Sequence, residues 1–461
     1  MRRVDSPSSI WKAPLRGLTI GLLLVVVATA FEALAVATIL PITTQELGGL
    51  EWYGWTFSAF MLANLVGISV GGSETDRRGG GGPFFVGTLL FMAGLVVSGL
   101  SPSMAVVVAG RTLQGFGGGL LSAVAYASIA SAYPVPLQPR MLATLSSAWV
   151  IPGLVGPGLA SVIAEYAGWR WVFLGLAPWL LIASFLVLPA LRAMPRGEGT
   201  AARGHRNLVA LQLALGTGLS LAGLEREAWW LAALFVLGGG AIALHALVQL
   251  VPEGTLLARP GLPAALAVMG ALNFAFFGAE AFLPLALNRV RGVPVSLAGL
   301  SLTAAALSWT AGAWLPVPLS RRLSRRAIVL TGLVIMAIGI AATLLVLMPS
   351  APAELAVAAW GVAGLGMGLA FTTSSAAILE AAPKGEEGTT SAALQLAQVL
   401  GAAVATGVGG AIVVAPFAGD PPRFGIAVVD VLMLATIGLG LFAARGISPQ
   451  EPANSKASNP D

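Results

Sequence analysis

Three ionisable side chains stand where the surrounding sequence makes them costly: Glu32 in the apolar run 17–41, Arg111 in the run 104–133 and Glu280 in the run 262–288. A charge at the centre of a bilayer costs about 2.5–3.5 kcal/mol on insertion scales, so an intramembrane ionisable residue is a functional-site hypothesis by default. For Glu32 the chemistry is proton binding and release, as its surroundings open to one side and then the other. The plainer role is a hydrogen bond to a neighbouring helix. Arg111, Gln114, Gly118 and Ser122 recur at helical spacing and share one polar, small-residue face. Their helix runs opposite to the first, which sets Arg111 at a depth comparable to Glu32. Two roles are open to Arg111: modulating Glu32, or bonding backbone carbonyls of the first helix. Spacing does not decide whether the two touch.

In the second half, Asn273, Phe276, Phe277, Glu280 and Pro284 form one stripe. Aromatic rings beside a carboxylate suit a lipophilic cation; the same rings also suit packing or contact with lipid. These residues define a proton-coupling set, Glu32, Arg111 and Glu280, with Glu280 across an expected cavity from Glu32. They also define a cavity set of Phe31, Gln114, Asn273, Phe276 and Phe277. No His, Asp or Glu cluster has metal or catalytic spacing, and there is no cysteine. His205 and His245 lack a second ligand nearby. The expectation is a protein with no metal, no cofactor and no enzyme chemistry, driven by a proton gradient.

The elements that must hold these residues are membrane helices. Of 461 residues, 57% are hydrophobic and 10% charged, with mean hydropathy +0.87; an ordinary soluble domain is ~25% charged. A bilayer core of about 30 Å needs ~20 residues at ~1.5 Å each. After 17–41 come apolar runs at about 53–73, 84–100, 104–133, 141–165, 170–191, 207–224, 228–250, 262–288, 296–319, 327–348, 353–378, 389–414 and 424–444. That is fourteen spans, or twelve if 207–224 and 228–250 do not cross. Ala28-Thr29-Ala30 resembles a signal-peptidase site, but apolar sequence continues to Leu40, so an uncleaved first helix is expected.

With the N-terminus inside, outer loops hold only Arg170, Arg226, Arg289, Arg291 and Arg423; Arg111 is within a helix, and the other basic residues fall inside. Both termini are therefore expected in the cytoplasm. The pI near 10.1 comes from arginines scattered through short loops, with no block of nucleic-acid-arm size. The expected organisation is an all-α polytopic membrane protein: a six-helix bundle at 1–192, an inner connector with two extra helices at 193–261, a second six-helix bundle at 262–445, and a disordered tail at 446–461. Ile39-Leu40-Pro41 and Phe282-Leu283-Pro284 end corresponding helices of the two halves. Each is followed one helix later by a basic loop, at Asp76-Arg77-Arg78 and at Arg321–Arg326. Such a weak repeat points to a transporter with its site between the halves.

Several stretches resemble the major facilitator superfamily. GGSETDRRGGGG at 71–82 resembles its loop 2–3 signature through Gly72, Asp76, Arg77 and Gly79. GRTLQGFGGG at 110–119 is similar to its fourth-helix signature through Arg111, Gln114 and Gly115. PGLVGPGLA at 152–160 resembles the fifth-helix signature of its antiporters through Gly153, Gly156 and Pro157. GWRWVF at 168–173 and FLPLALNRVRG at 282–292 are similar to the fourteen-helix drug:proton antiporter group. The departures are Gly80, Gly81 and Gly82 where further basic residues are usual, Ala160 and Ser161 where glycines are usual, and Glu32 where Asp is common.

The resemblance implies the major facilitator fold, two six-helix bundles plus two inserted helices, in a bacterial inner-membrane multidrug efflux protein acting as a monomer. It implies a conformational gate loop at Gly72, Asp76, Arg77 and Gly79 that braces the halves, and an antiporter helix that prevents leak. Arg77 and Arg78 have possible loop partners in Glu380, Glu386 and Glu387, and Thr389 or Thr390 is expected to cap the following helix. The expected function is proton-coupled export of amphipathic or cationic small molecules by alternating access. The rivals are a proton-coupled importer on the same fold and a non-transporting membrane sensor or scaffold.

Overall fold

The computed structural model describes residues 9–12, 15–192, 202–383 and 386–447; Arg196, Lys384 and the expected tail beyond 447 lie outside the described residues. The helices, in chain order, are α1 (Leu15–Leu47), α2 (Tyr53–Arg78), α3 (Gly81–Gly99), α4 (Met104–Ala132), α5 (Gln138–Ser147), α6 (Val150–Tyr166), α7 (Arg170–Leu174), α8 (Leu176–Arg192), α9 (Ala202–Leu224), α10 (Trp229–Leu250), α11 (Leu262–Leu285), α12 (Val295–Trp314), α13 (Pro316–Leu319), α14 (Arg325–Val346), α15 (Leu355–Glu380), α16 (Glu387–Val414) and α17 (Arg423–Ala444). No strand occurs among the described residues. Among the described residues, thirteen helical stretches are long and apolar enough to cross a membrane. The remaining span is α6, 17 residues long and preceded by α5. The stretch expected at 207–224 is a 23-residue helix packed against α10, so the inserted pair is present.

Proline chemistry sets the breaks. Pro152 has no N–H for the carbonyl of Ala148, four residues earlier, and the expected span 141–165 divides there into α5 and α6. Pro178 stands in the same relation to Leu174, and 170–191 divides into α7 and α8. Pro316 ends α12 at Trp314, leaving a short α13 in the expected span 296–319. Four prolines stand inside helices instead: Pro157 in α6, Pro189 in α8, Pro41 and Pro284. Pro41 was expected at a helix end, yet α1 continues to Leu47; α11 ends at Leu285, as expected for Pro284, and a π turn follows at Ala286–Val290. In the turn after Pro41 the buried Thr44 hydroxyl donates to the carbonyls of Leu40 and Pro41, at 3.1 and 2.9 Å.

We call the face where α1 ends and α2 begins distal, and the opposite face proximal. In the first half α2 packs on α4, α3 on α4 and α8, and α1 on α6 and α8. In the second half α11 packs on α16 and α17, α12 on α15, and α14 on α15 and α17. The halves meet through α2 on α16, α6 on α12, and α1 on α11 and α12. Much of this contact lies towards the distal face. The Tyr53 hydroxyl donates to the Ala281 carbonyl at 2.9 Å, and its ring lies 5.6 Å from Phe282. The Ser58 hydroxyl reaches the Ala403 carbonyl at 2.9 Å and the Thr406 hydroxyl at 3.0 Å. Gly54 and Gly410 touch backbone to backbone: a Cβ on Gly54 would sit 2.6 Å from the Gly410 Cα.

Candidate functional site: a buried ion pair and an aromatic cluster

Glu32 and Arg111 form an ion pair, with side chains 1% and 3% exposed. The opposed directions of α1 and α4 bring them to one level, and small residues on α4 bring α2 in beside the arginine. A Cβ on Gly115 would collide with the Phe60 carbonyl of α2, and one on Gly119 with the Asn64 carbonyl. Glycine at these two positions lets α2 lie directly on α4, as small residues do in membrane helix packing. The guanidinium then collects several partners. Its Nε donates to the Thr56 carbonyl of α2 at 3.2 Å, and one Nη donates to the Gln114 Oε1 at 2.5 Å. Its plane lies over the Phe60 ring, 4.1 Å from the centroid. Gln114 donates onward to the Ser98 hydroxyl of α3 at 3.3 Å. One arginine thereby ties α1, α2 and α4, with α3 reached through Gln114. The carbonyls it holds belong to α2; the first helix supplies a carboxylate, where a backbone carbonyl had been one of the two expectations.

Glu280 is buried beside the Trp360 indole of α15. The sequence expectation set it across a cavity from Glu32; this neighbour is on a helix of its own half. Phe276 stacks on Trp360, with centroids 5.0 Å apart and planes at 22°, and meets Trp309 of α12 edge-on at 5.3 Å. Phe277 and Phe371 complete the cluster, Phe277 against Phe276 at 5.5 Å and Phe371 against Trp309 at 5.5 Å. Phe276 is fully buried by this packing, whereas Phe31, Phe277, Trp309 and Phe371 are half-buried. Asn273 turns back onto its own helix and donates to the Met269 carbonyl at 2.9 Å. Of the five cavity candidates, Gln114, Asn273 and Phe276 are thus occupied by protein partners, while Phe31 and Phe277 keep open surface.

The antiporter-type stretch lies at the meeting of the halves. Gly153 faces the Ala306 methyl of α12, the Pro157 carbonyl lies against Gly299, and Gly156 lies against the Phe31 ring. In the loop after α2, Gly79 adopts φ 82°, a conformation that favours glycine, and Gly72 has open space around its Cα. Asp76 lies in the last turn of α2. Arg77 and Arg78 pair with Glu74 of the same helix at 3.8 and 3.2 Å, and Glu380 pairs with Arg325 of α14. These local partners, three and four residues away in α2, stand where pairing with the loop glutamates was expected. Thr389 and Thr390 lie inside the first turn of α16, and Glu386 occupies the capping position, so the threonine cap was misplaced.

The two further signatures fasten the distal ends. Trp169 donates to Glu46 at the end of α1 at 2.7 Å, and Arg170 pairs with the same carboxylate. Arg291 donates to the carbonyls of Val346, Met348 and Ala351 at 2.5–2.6 Å, closing the end of α14.

One buried carboxyl had no part in the sequence expectations. Asp430 of α17 is 4% exposed and accepts from the Thr343 hydroxyl of α14 at 2.7 Å. A void of ≈ 10 Å³ adjoins it, lined by Ala279, Leu283 and Leu347 among others, about the volume that one water centre needs. It is the one acidic residue in the run 424–444, the same signal that marked Glu32. Trp309 and Trp360 carried no such signal, because their roles arise only where α12 and α15 meet α11.

A chain whose described residues hold thirteen membrane-length helices, no strand and a charge pair buried between helices is a multi-pass membrane protein. The sequence signature of the Major Facilitator Superfamily matches residues 21–406 and 265–460, and the chain belongs to that family. It is 26% identical over 396 residues to a probable multidrug-efflux transporter of Mycobacterium tuberculosis, covering 82% of this chain and 83% of the relative. It is 23% identical to the multidrug transporter protein MdtP of Bacillus subtilis, over 83% of this chain and 72% of that one. Among solved structures it resembles a POT peptide transporter in complex with alafosfalin, with TM-score 0.69 at 15% identity over 95% and 96% of the two chains. A bacterial homologue of the lysosomal transporter Spinster, inward-facing and unoccupied, gives 0.67 at 16% over 94% and 98%. The chain is a transporter and not an enzyme.

Proposed function

We propose that the chain is a proton-coupled antiporter that exports amphipathic or cationic drug-like molecules by alternating access between the halves 1–192 and 262–445. The observation that carries this reading is the Glu32–Arg111 pair. Protonation of Glu32 cancels one charge of a tightly held pair and leaves the guanidinium with the Thr56 carbonyl, Gln114 and the Phe60 face. Because α1 contacts α11 and α12 of the other half, releasing α1 from Arg111 bears directly on how the halves sit. A proton falling through ~100 mV supplies ~2.3 kcal/mol, enough for about a 50-fold gradient of a neutral substrate. No cofactor takes part.

The half-buried rings of Phe31, Phe277, Trp309 and Phe371 supply aromatic surface for a lipophilic cation. The protein works as a monomer in the bacterial inner membrane, with both termini cytoplasmic. In that orientation the distal face is the outer one, and the contacts of Tyr53, Gly54 and Ser58 describe a state closed to the outside. The names of the multidrug relatives support export, and the cross-half contacts of Gly153 and Pro157 fit the resemblance of that stretch to antiporters.

The test is substrate-induced proton release in proteoliposomes. Glu32→Gln is expected to abolish it while the protein still folds. Normal proton release by that variant removes Glu32 from the mechanism, and pH-driven uptake in oriented vesicles would replace export with import.

A further inference from the structure

The inserted hairpin, α9 and α10, joins the halves in sequence, so it can belong mechanically to either. Its bonds are asymmetric. Near the proximal end, the Ser69 hydroxyl of α2 donates to the Asn207 Oδ1 at 2.8 Å, and the Asn207 Nδ2 donates to the Ser73 hydroxyl at 2.7 Å. At the distal end the Trp55 indole of α2 donates to Glu225, just beyond α9, at 2.9 Å. Polar fastenings therefore hold the hairpin to α2 at both ends of the membrane span. Towards α16 the described contacts are aliphatic. Leu221 fills the space in front of Gly407 and clusters with Leu62, Ala214 and Ala403. Leu396 packs with Val209, Ala210, Leu213 and Leu65.

These two kinds of contact differ in what it takes to shift them. Interhelical hydrogen bonds in a bilayer fix a position, whereas aliphatic contact between helices has no hydrophobic drive there, since lipid tails are equally apolar. A smooth aliphatic face slides and a hydrogen-bonded one does not. The place is also specific. α9 touches both α2 and α16, the pair that meets through Gly54–Gly410 and Ser58–Thr406 and that must part when the distal side opens. The far face of α10 carries Leu234, Leu237 and Leu244 outward, 62%, 72% and 52% exposed, as a lipid-facing surface does. The segment 251–261 that leads on to α11 turns at Gly254, φ 83°, and Gly261, φ 97°, and the Gly261 N–H donates to the Gly446 carbonyl beyond α17, so its far end is fastened to the second half.

We propose that the α9–α10 hairpin is carried by the first half and acts as a sliding seal over the α2–α16 seam, keeping lipid out of it as the halves rock. The proposal rests on the alternating-access reading given above. The segment 251–261 takes up the relative displacement.

The chain has no cysteine, so paired spin labels at introduced cysteines report single distances. Leu237→Cys on α10 is paired with Leu89→Cys on α3 and, separately, with Ile338→Cys on α14; all three positions are at least half-exposed. Leu89→Cys with Ile338→Cys reports rocking itself. The full-length protein in lipid nanodiscs is measured in alkaline and in acidic buffer. The expected result is a constant α10–α3 distance and an α10–α14 distance that shifts along with the α3–α14 reporter. A constant α10–α14 distance with a shifting α10–α3 distance overturns the proposal, because the hairpin would then ride on the second half. An unchanged α3–α14 distance counts against rocking, and the seal falls with that reading. A Leu89–Leu237 pair that loses its constancy in Asn207→Ala, while the α3–α14 shift persists, would identify the polar fastening as what holds the hairpin.

Discussion

The two halves treat buried carboxyls differently. In the first half Glu32 meets a guanidinium that is itself held by a carbonyl, an amide and an aromatic face. In the second half Asp430 meets a threonine hydroxyl, and Glu280 lies beside an indole. A charged pair in low dielectric attracts strongly but leaves a costly remainder when one partner goes. A hydroxyl bonded to a carboxyl leaves a smaller one. The first half is therefore the more sensitive of the two to the loss of one charge, while the second joins its helices at these carboxyls through uncharged donors.

Mutation of Arg111 should break this comparison most visibly. Arg111→Ala leaves Glu32 buried without its counter-charge and is expected to cost about 3–5 kcal/mol, read as a lower unfolding temperature of the detergent-solubilised protein. Adding Glu32→Gln should recover most of that loss, and equal instability of the single and double variants would show that the charge is not the reason. Arg111→Lys keeps the charge but not the planar fork. With the Thr56 and Gln114 bonds no longer made together, roughly 1.5–3 kcal/mol should go. In the second half, Thr343→Val removes the donor to Asp430 and should cost about 1–3 kcal/mol. Thr343→Val with Asp430→Leu should be milder than Thr343→Val alone if the carboxyl is only a structural acceptor. The smallest effect belongs to Arg170→Ala at the distal face. Its pair with Glu46 is 36% and 49% exposed, and such pairs contribute about 0–1 kcal/mol. A loss there as large as that at Arg111 would erase the distinction between buried and surface charge.

Much of the architecture was legible because hydrocarbon enforces simple rules: long apolar runs are helices, and a charge inside one needs a partner. Glu32 and Arg111 could be set at one depth from chain direction alone, although depth does not say which helices are neighbours. The prolines at 152 and 178 were visible, but the breaks were not, since spacing does not say whether a helix resumes on the same axis. Asp430 obeyed the rule that found Glu32 and was still passed over, because no aromatic stripe or family signature drew attention to it. Phe276 was assigned to a cavity from its own helix face, and Trp309 and Trp360, from two other helices, fill the space it was meant to border. Residues set by a single helix were readable; those set by the meeting of three were not.

The Gly54–Gly410 contact bears on how fast the protein can turn over. Two backbones that meet without side chains have no rotamers to freeze when they close, because glycine contributes nothing to side-chain entropy. They also have no interdigitated groups to withdraw when they part. On the alternating-access reading proposed above, a seam closed this way opens with little reorganisation, and the rate of switching is left to the polar contacts beside it: Tyr53 to the Ala281 carbonyl and Ser58 to Thr406.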